Sequence, residues 1–165
     1  ARRYARIHPV AAAAEAPVGM IPDFTPNPDA LKNVETSILV CARGITPTLQ
    51  FAIEEARIRN ARLHILYIKE VFMRVTRQAR WEQDPVAVGI FTEVKKLTGD
   101  LPVFPLYAQS GDPAETIVDI SATLGVDFLI LGATARSRLA KTLRGDVIEE
   151  VAEHLPENIR LIIFG

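Results

Sequence analysis

Gly132 and Gly145 bracket a basic, hydroxyl-bearing loop in the stretch VDFLILGATARSRLAKTLRGDV, Val126 to Val147. The apolar run Phe128–Leu131 has the length and composition of a buried strand, and Gly132 ends it. Arg136, Ser137, Arg138 and Lys141 follow, and Gly145 opens a helix that starts at Asp146 or Val147. A strand, a glycine-punctuated loop and a helix N-terminus form an anion site in many parallel α/β folds. Free backbone N–H groups and the helix dipole both face the ligand there. Asp146 opposes such use. At about 4 Å and an effective dielectric of about 20, its charge repels a phosphate by about 4 kcal/mol per unit-charge pair. The same carboxylate is a good helix cap.

The other chemistry-bearing residues make weaker patterns. The chain has no GxxxxGK[ST] loop and no GxGxxG turn. His8, His64 and His154 are scattered, without the spacing of a metal site. His64 lies in an apolar strand and reads as a structural histidine, and Cys41 beside Val40 reads as an inert core thiol. The pairs Glu54-Glu55 and Glu149-Glu150 are adjacent on helices, so neither forms a carboxylate dyad. Arg74, Arg77 and Arg80, with Trp81, would form a basic stripe if helical, suited to an acidic partner or anionic headgroups. A surface loop or short helix with solvated charges is the simpler reading.

Composition bounds the answer further. A length of 165 residues fits one domain with an extension and is enough for a core without staples. The net charge of −1 gives no drive toward nucleic acid, which is not an expected partner. The single Cys41 forms no internal disulfide and fits a reducing, cytoplasmic setting. No apolar run is long enough to span a bilayer. The N-terminal ARRYARIH has two readings: a flexible tail, or the basic, aromatic cytoplasmic flank of a transmembrane helix. In the second, the domain is the soluble part of an inner-membrane protein.

The elements that must position the loop follow from periodicity. Residues 1–35 carry Pro9, Pro17, Pro22, Pro26 and Pro28 and read as an extended linker, with a short helical turn near Ala11–Ala16. Residues 36–165 form the domain. Strands are expected at Ser37–Ala42, Leu63–Ile68, Val103–Ala108, Phe128–Leu131 and Ile159–Phe164. Helices are expected at Thr46–Asn60, Pro85–Leu97, Asp112–Leu124 and Asp146–His154, with Lys69–Asp84 as a basic, irregular insert. Leu49, Ala52, Ile53, Ala56 and Ile58 mark the inward face of the first helix. Val86, Ile90, Val94 and Leu97 mark that of the second, and Ile117, Ile120 and Leu124 that of the third. Strict alternation of near-continuous apolar strands with helices predicts a three-layer α/β/α fold around a doubly wound parallel sheet. Ligands of such sheets bind beyond the strand C-termini, which gathers Ala42, Arg43, Gly44, Ile68 and the Gly132–Gly145 loop.

From Ser37 to Phe164 the chain resembles the universal stress protein family. ATP-binding members carry glycine, two residues, glycine, nine residues, then glycine followed by Ser or Thr. Gly132, Ala135, Gly145 and Asp146 fall at those positions, with Ser137 and Val147 in the same loop and helix start. The stretches GDPAETI (Gly111–Ile117) and VDFLILG (Val126–Gly132) also resemble the family's habitual phrases. The resemblance implies a five-stranded, Rossmann-like sheet in the order 3-2-1-4-5. It also implies a nucleotide held at this loop and a two-fold dimer through the edge strand, here Leu161, Ile162, Ile163 and Phe164. Arg43 stands where the family commonly has a nucleotide-holding aspartate, and Ala135 adds a Cβ where a phosphate would approach the backbone. These departures argue against tight ATP binding. They leave AMP or a cyclic dinucleotide among Arg43, Arg136, Arg138 and Lys141, unless those are only solvated loop charges.

The expected function is a non-catalytic regulatory domain that senses a ligand or dimerises, attached to the cytoplasmic end of a membrane transporter. Alternatives are a free-standing nucleotide-binding stress protein and a nucleotide hydrolase of the same fold group. The hydrolase needs a nucleophile or base at the switch point, and the sequence offers neither.

Overall fold

A computed structural model describes residues 21–72, 80–133 and 147–165. Five strands, β1 (Ser37–Cys41), β2 (Arg62–Glu70), β3 (Val103–Ser110), β4 (Phe128–Gly132) and β5 (Arg160–Phe164), alternate with four helices. These are α1 (Pro47–Arg59), α2 (Pro85–Thr98), α3 (Pro113–Leu124) and α4 (Val147–His154). The sheet is parallel at every pairing, in the order β3-β2-β1-β4-β5. Pro105 sits within β3, which is an edge strand and so tolerates a residue with no N–H to donate.

Three helices start on the same chemistry, a capping oxygen followed by proline. Thr46 accepts from Leu49 N–H, Asp84 from Val86 and Ala87 N–H, and Asp112 from Glu115 N–H, with Pro47, Pro85 and Pro113 next in line. The side chains satisfy N–H groups the helix leaves free, and proline fills a position whose N–H would be unused. Helix α3 ends at Gly125 in the left-handed region, φ 61°, which a residue with a Cβ adopts only under strain. α1 ends on Asn60 in the same region.

The chain winds from β1 outward to β3, then crosses back past β1 to β4 and β5. Reversing direction while keeping right-handed crossovers puts the second pair of helices on the other face. The core accordingly divides in two. Ile38, Val40, Leu63, Ile65 and Ile130 pack with Leu49, Ala52, Ile53 and Ala56 of α1 and with Ala87, Ile90, Phe91 and Val94 of α2. Leu39, Leu66, Leu129 and Leu131 pack with Ala114 and Ile117 of α3 and with Val147 and Val151 of α4.

The buried helix faces differ from the expected ones at their flanks. Ile58 is 70% exposed, Val86 is 55% exposed, and Leu97 and Leu124 also face solvent. In α2 the buried stripe runs Ala87, Ile90, Phe91, Val94, Thr98. Phe91 fills the space against the sheet, which rotates the helix so that small Ala87, not Val86, turns inward. Buried Thr98 satisfies its hydroxyl on Val94 C=O. Leu124 is the last residue before the chain turns away at Gly125.

The segment before β1 holds a single-turn 3-10 helix, Pro28–Leu31. Phe24 meets Trp81 and Phe91 edge to face, at 6.2 and 6.1 Å between centroids, and Lys95 lies over its ring. The helical turn expected near Ala11–Ala16 lies outside the described residues.

Candidate functional site

The strand C-termini form a step because the strands are unequal in length. Cys41 is the last β1 residue paired with β2, opposite Leu66, and Ala42 N–H still donates to Leu66 C=O. Tyr67–Glu70 then carry β2 roughly 13 Å further, paired only with β3. On the other side Val40 pairs with Ile130, so β4 ends at Gly132 about level with Ala42. Among the described residues, β2 therefore rises past the end of β1 on one side, while β4 ends level with it at Gly132 on the other. The step lies at the topological switch point, where sheets of this kind bind their ligands.

Alternation assigns the side chains to faces. Cys41 and Ile68 pack with the α3/α4 core, so Glu70, two residues beyond Ile68 in β2, falls on that face, and Arg43 in the bend after β1 reaches it there. Arg43 Nη2 lies 3.3 Å from Glu70 Oε1, the pair being 46% and 36% exposed. Ala42 is buried and offers the step only its backbone. A Cβ on Gly44 would meet nothing within 4 Å, so its local geometry does not demand glycine. Val147 is buried in the α3/α4 core at the start of α4. Arg43, Ile68, Gly132 and the start of α4 thus share one end of the sheet. Ala135, Arg136, Ser137, Arg138, Gly145 and Asp146, with Lys141, lie outside the described residues.

The opposite face carries a polar cluster that the sequence reading missed. Lys69 and Glu70 are strand residues, and Asp84 is the cap of α2, so the expected insert is shorter than Lys69–Asp84. Asp84 receives Lys69 Nζ at 3.1 Å, Tyr107 Oη at 2.6 Å and Val86 N–H at 2.9 Å. Gln109 Nε2 donates to Tyr107 Oη, and Tyr67 stacks on Tyr107. The ion pair is deeply placed, with Lys69 12% and Asp84 4% exposed. Burial pulls the Asp84 carboxyl upward, but hydrogen bonds from Tyr107 and Lys69 outweigh it and hold it below its ordinary value. Burial, then the bond to Asp84, drives the Tyr107 hydroxyl upward. The available signal was Asp84-Pro85, the same cap-proline pair as Asp112-Pro113. Arg74 and Arg77 lie outside the described residues, so the basic stripe has no structural account.

No reactive constellation accompanies the step among the described residues. Burial pushes the Cys41 thiol up to about 12, which makes it unreactive. Burial, then the charge of Arg62, lowers His64 to about 4, so it is neutral near pH 7, stacked on Phe104. No group of three His, Cys, Asp or Glu side chains among these residues is arranged to hold a metal.

The profile of the Universal stress protein family matches residues 45–159. The chain belongs to that family. No curated protein sequence matches it significantly. Among solved structures, it is similar to a universal stress protein in complex with cAMP. That likeness has a TM-score of 0.55 and 18% identity over 79% of this chain and 96% of that one. A universal stress protein from Archaeoglobus fulgidus in complex with dAMP superposes with a TM-score of 0.56 at 17% identity, over 80% and 99% of the two chains. UspA from Lactobacillus plantarum gives 0.53 at 20% identity, over 80% and 99%. At these identities the likeness establishes the fold, and the order of the strands in the sheet is the one the family resemblance implies.

Proposed function

We propose that this chain is a non-catalytic, nucleotide-binding regulatory domain that takes an AMP-type nucleotide beyond the end of β1. The observation that carries the reading is the uneven end of the sheet. It is the step that the described residues leave between β2 and β4 at the switch point, with the guanidinium of Arg43 beside it and the start of α4 at the same end of the sheet. The structures in complex with cAMP and dAMP share this fold and support the choice of a monophosphate. The site lacks a poised nucleophile or base among the described residues, which favours sensing over turnover. Regulation is then linkage: the nucleotide shifts an equilibrium by its differential affinity for two states. A membrane transporter joined through the basic ARRYARIH segment is the partner this reading names.

A thermal-shift panel with AMP, cAMP, a cyclic dinucleotide and ATP tests the reading. A ligand at about 100 times its dissociation constant adds about 2.7 kcal/mol, which raises Tm by roughly 5 °C or more. The expected result is a shift with a monophosphate and a smaller one with ATP. Unchanged melting with every nucleotide would overturn the proposal.

A further inference from the structure

We propose that the chain holds an internal water site where the starts of β1 and β2 meet the last turn of α3, at the end of the sheet opposite the step. Four buried polar atoms carry the inference: Ser37 Oγ, Arg62 Nε, His64 Nδ1 and Ser121 Oγ. Among the described residues, these are the buried side-chain nitrogens and oxygens that find no hydrogen-bond partner. Ser121 is fully buried and His64 is 9% exposed.

The register brings the four to one place. Ser37 stands opposite Arg62 at the first pair between β1 and β2, and His64 lies two residues further along β2. Side chains alternate across a strand, so all three share the face of Leu39 and Leu66, which packs under α3. A helix that joins parallel strands runs against them, so the end of α3 lies over the strand starts. Ser121 is there, one turn beyond Ile117 on the buried stripe. The chain leaving the helix ties it to β1. Val126 N–H donates to Ser121 C=O, and Asp127 Oδ2 accepts from Ser37 N–H at 2.8 Å. Phe104, stacked on His64, bounds the β3 side.

The donor inventory identifies the guest. Arg62 Nε–H can only donate, and its Nη2 is spent on Val34 C=O at 3.3 Å. The hydroxyls of Ser37 and Ser121 donate or accept. Neutral His64 turns a lone pair on Nδ1 toward Arg62 when its proton sits on Nε2, the tautomer the guanidinium charge favours. The guest must therefore accept from Arg62 and donate to His64, with room for little else. Water does both, and buried waters make about three such bonds. An anion fits less well. It has no proton for His64 Nδ1, and the Asp127 carboxylate stands at the same edge.

The test is a crystal structure of the full chain grown in sodium bromide, with data at the bromine edge, beside long-range nitrogen-15 spectra of His64. The expected result is a density peak within about 3.2 Å of Arg62 Nε, His64 Nδ1 and at least one of the two hydroxyls. It carries no anomalous signal, and in solution at neutral pH the His64 proton sits on Nε2. An anomalous peak would identify an anion and overturn the proposal. No peak, direct bonds among the four side chains, or a proton on Nδ1 would overturn it as well.

Discussion

Asp84 is the residue on which most interactions converge. It caps α2, neutralises Lys69 and accepts from Tyr107, so one carboxylate ties the ends of β2 and β3 to the helix that follows. Removing it leaves a buried ammonium and a buried hydroxyl without their acceptor. Asp84→Ala is expected to cost about 3–5 kcal/mol in denaturant unfolding, whereas the apolar pair Lys69→Met with Asp84→Leu costs less. A loss below about 1 kcal/mol in the single variant would show the cluster to be ornamental. The pH dependence follows from the same bonds. The folded carboxyl titrates below its unfolded value, so its stabilisation is complete above the unfolded value near about 3.9. It is lost as pH falls through the folded one. The acid limb of the wild-type stability curve should therefore flatten in the Lys69→Met, Asp84→Leu variant.

At the scale of elements, Phe24 fastens the far end of the segment before β1, whose near end is held by buried Val34 and by hydrogen bonds from Asn60 and Arg62. Phe24 joins Trp81 and Phe91 in a set of edge-to-face contacts that spans the leading segment, the turn before α2 and α2 itself. Aromatic pairs contribute about 0.5–1.5 kcal/mol each beyond burial. Phe24→Ala should lower stability by about 2 kcal/mol and make the chain before Pro28 more readily cut by protease, with β1–β5 intact. Unaltered proteolysis would contradict the anchoring role.

The strands and helices of this fold are legible in the sequence because two-sided burial writes continuous apolar runs into β1, β2 and β4. Proline, glycine and capping residues mark most of the ends. The polar cluster is not legible in the same way. Lys69, Asp84 and Tyr107 are distant in sequence and meet only through strand register, and a charged residue after an apolar run reads as the start of a loop. The Arg43 position was legible as a charge, but its pairing with Glu70 depends on β2 overshooting β1. The middles of the helix faces were legible, at Leu49, Ala52, Ile53, Ala56, Ile90, Val94 and Ile117, but not their flanks, where Ile58, Val86, Leu97 and Leu124 are exposed.

For the whole molecule, β5 closes one edge of the sheet, with no strand paired to its outer side among the described residues. Ile163 is exposed on it, while Phe164 is stacked inward on Phe51 at 4.6 Å. An apolar edge strand of this kind invites pairing with a second copy. We propose that Leu161–Phe164 form a two-fold dimer. Sedimentation should give a dimer for wild type and a folded monomer for Ile163→Lys; a wild-type monomer would remove the proposal.

Amide chemical shifts report directly where a nucleotide sits on the chain. Titrating AMP into the nitrogen-15-labelled chain should perturb Ala42–Gly44, Ile68–Glu70 and Gly132–Ala133, in a saturable manner. The small cavity of about 80 Å³ lined by Phe24, Pro26, Lys95 and Leu101 should stay silent. Silence at the strand C-termini, or perturbations confined to that cavity, would contradict the account.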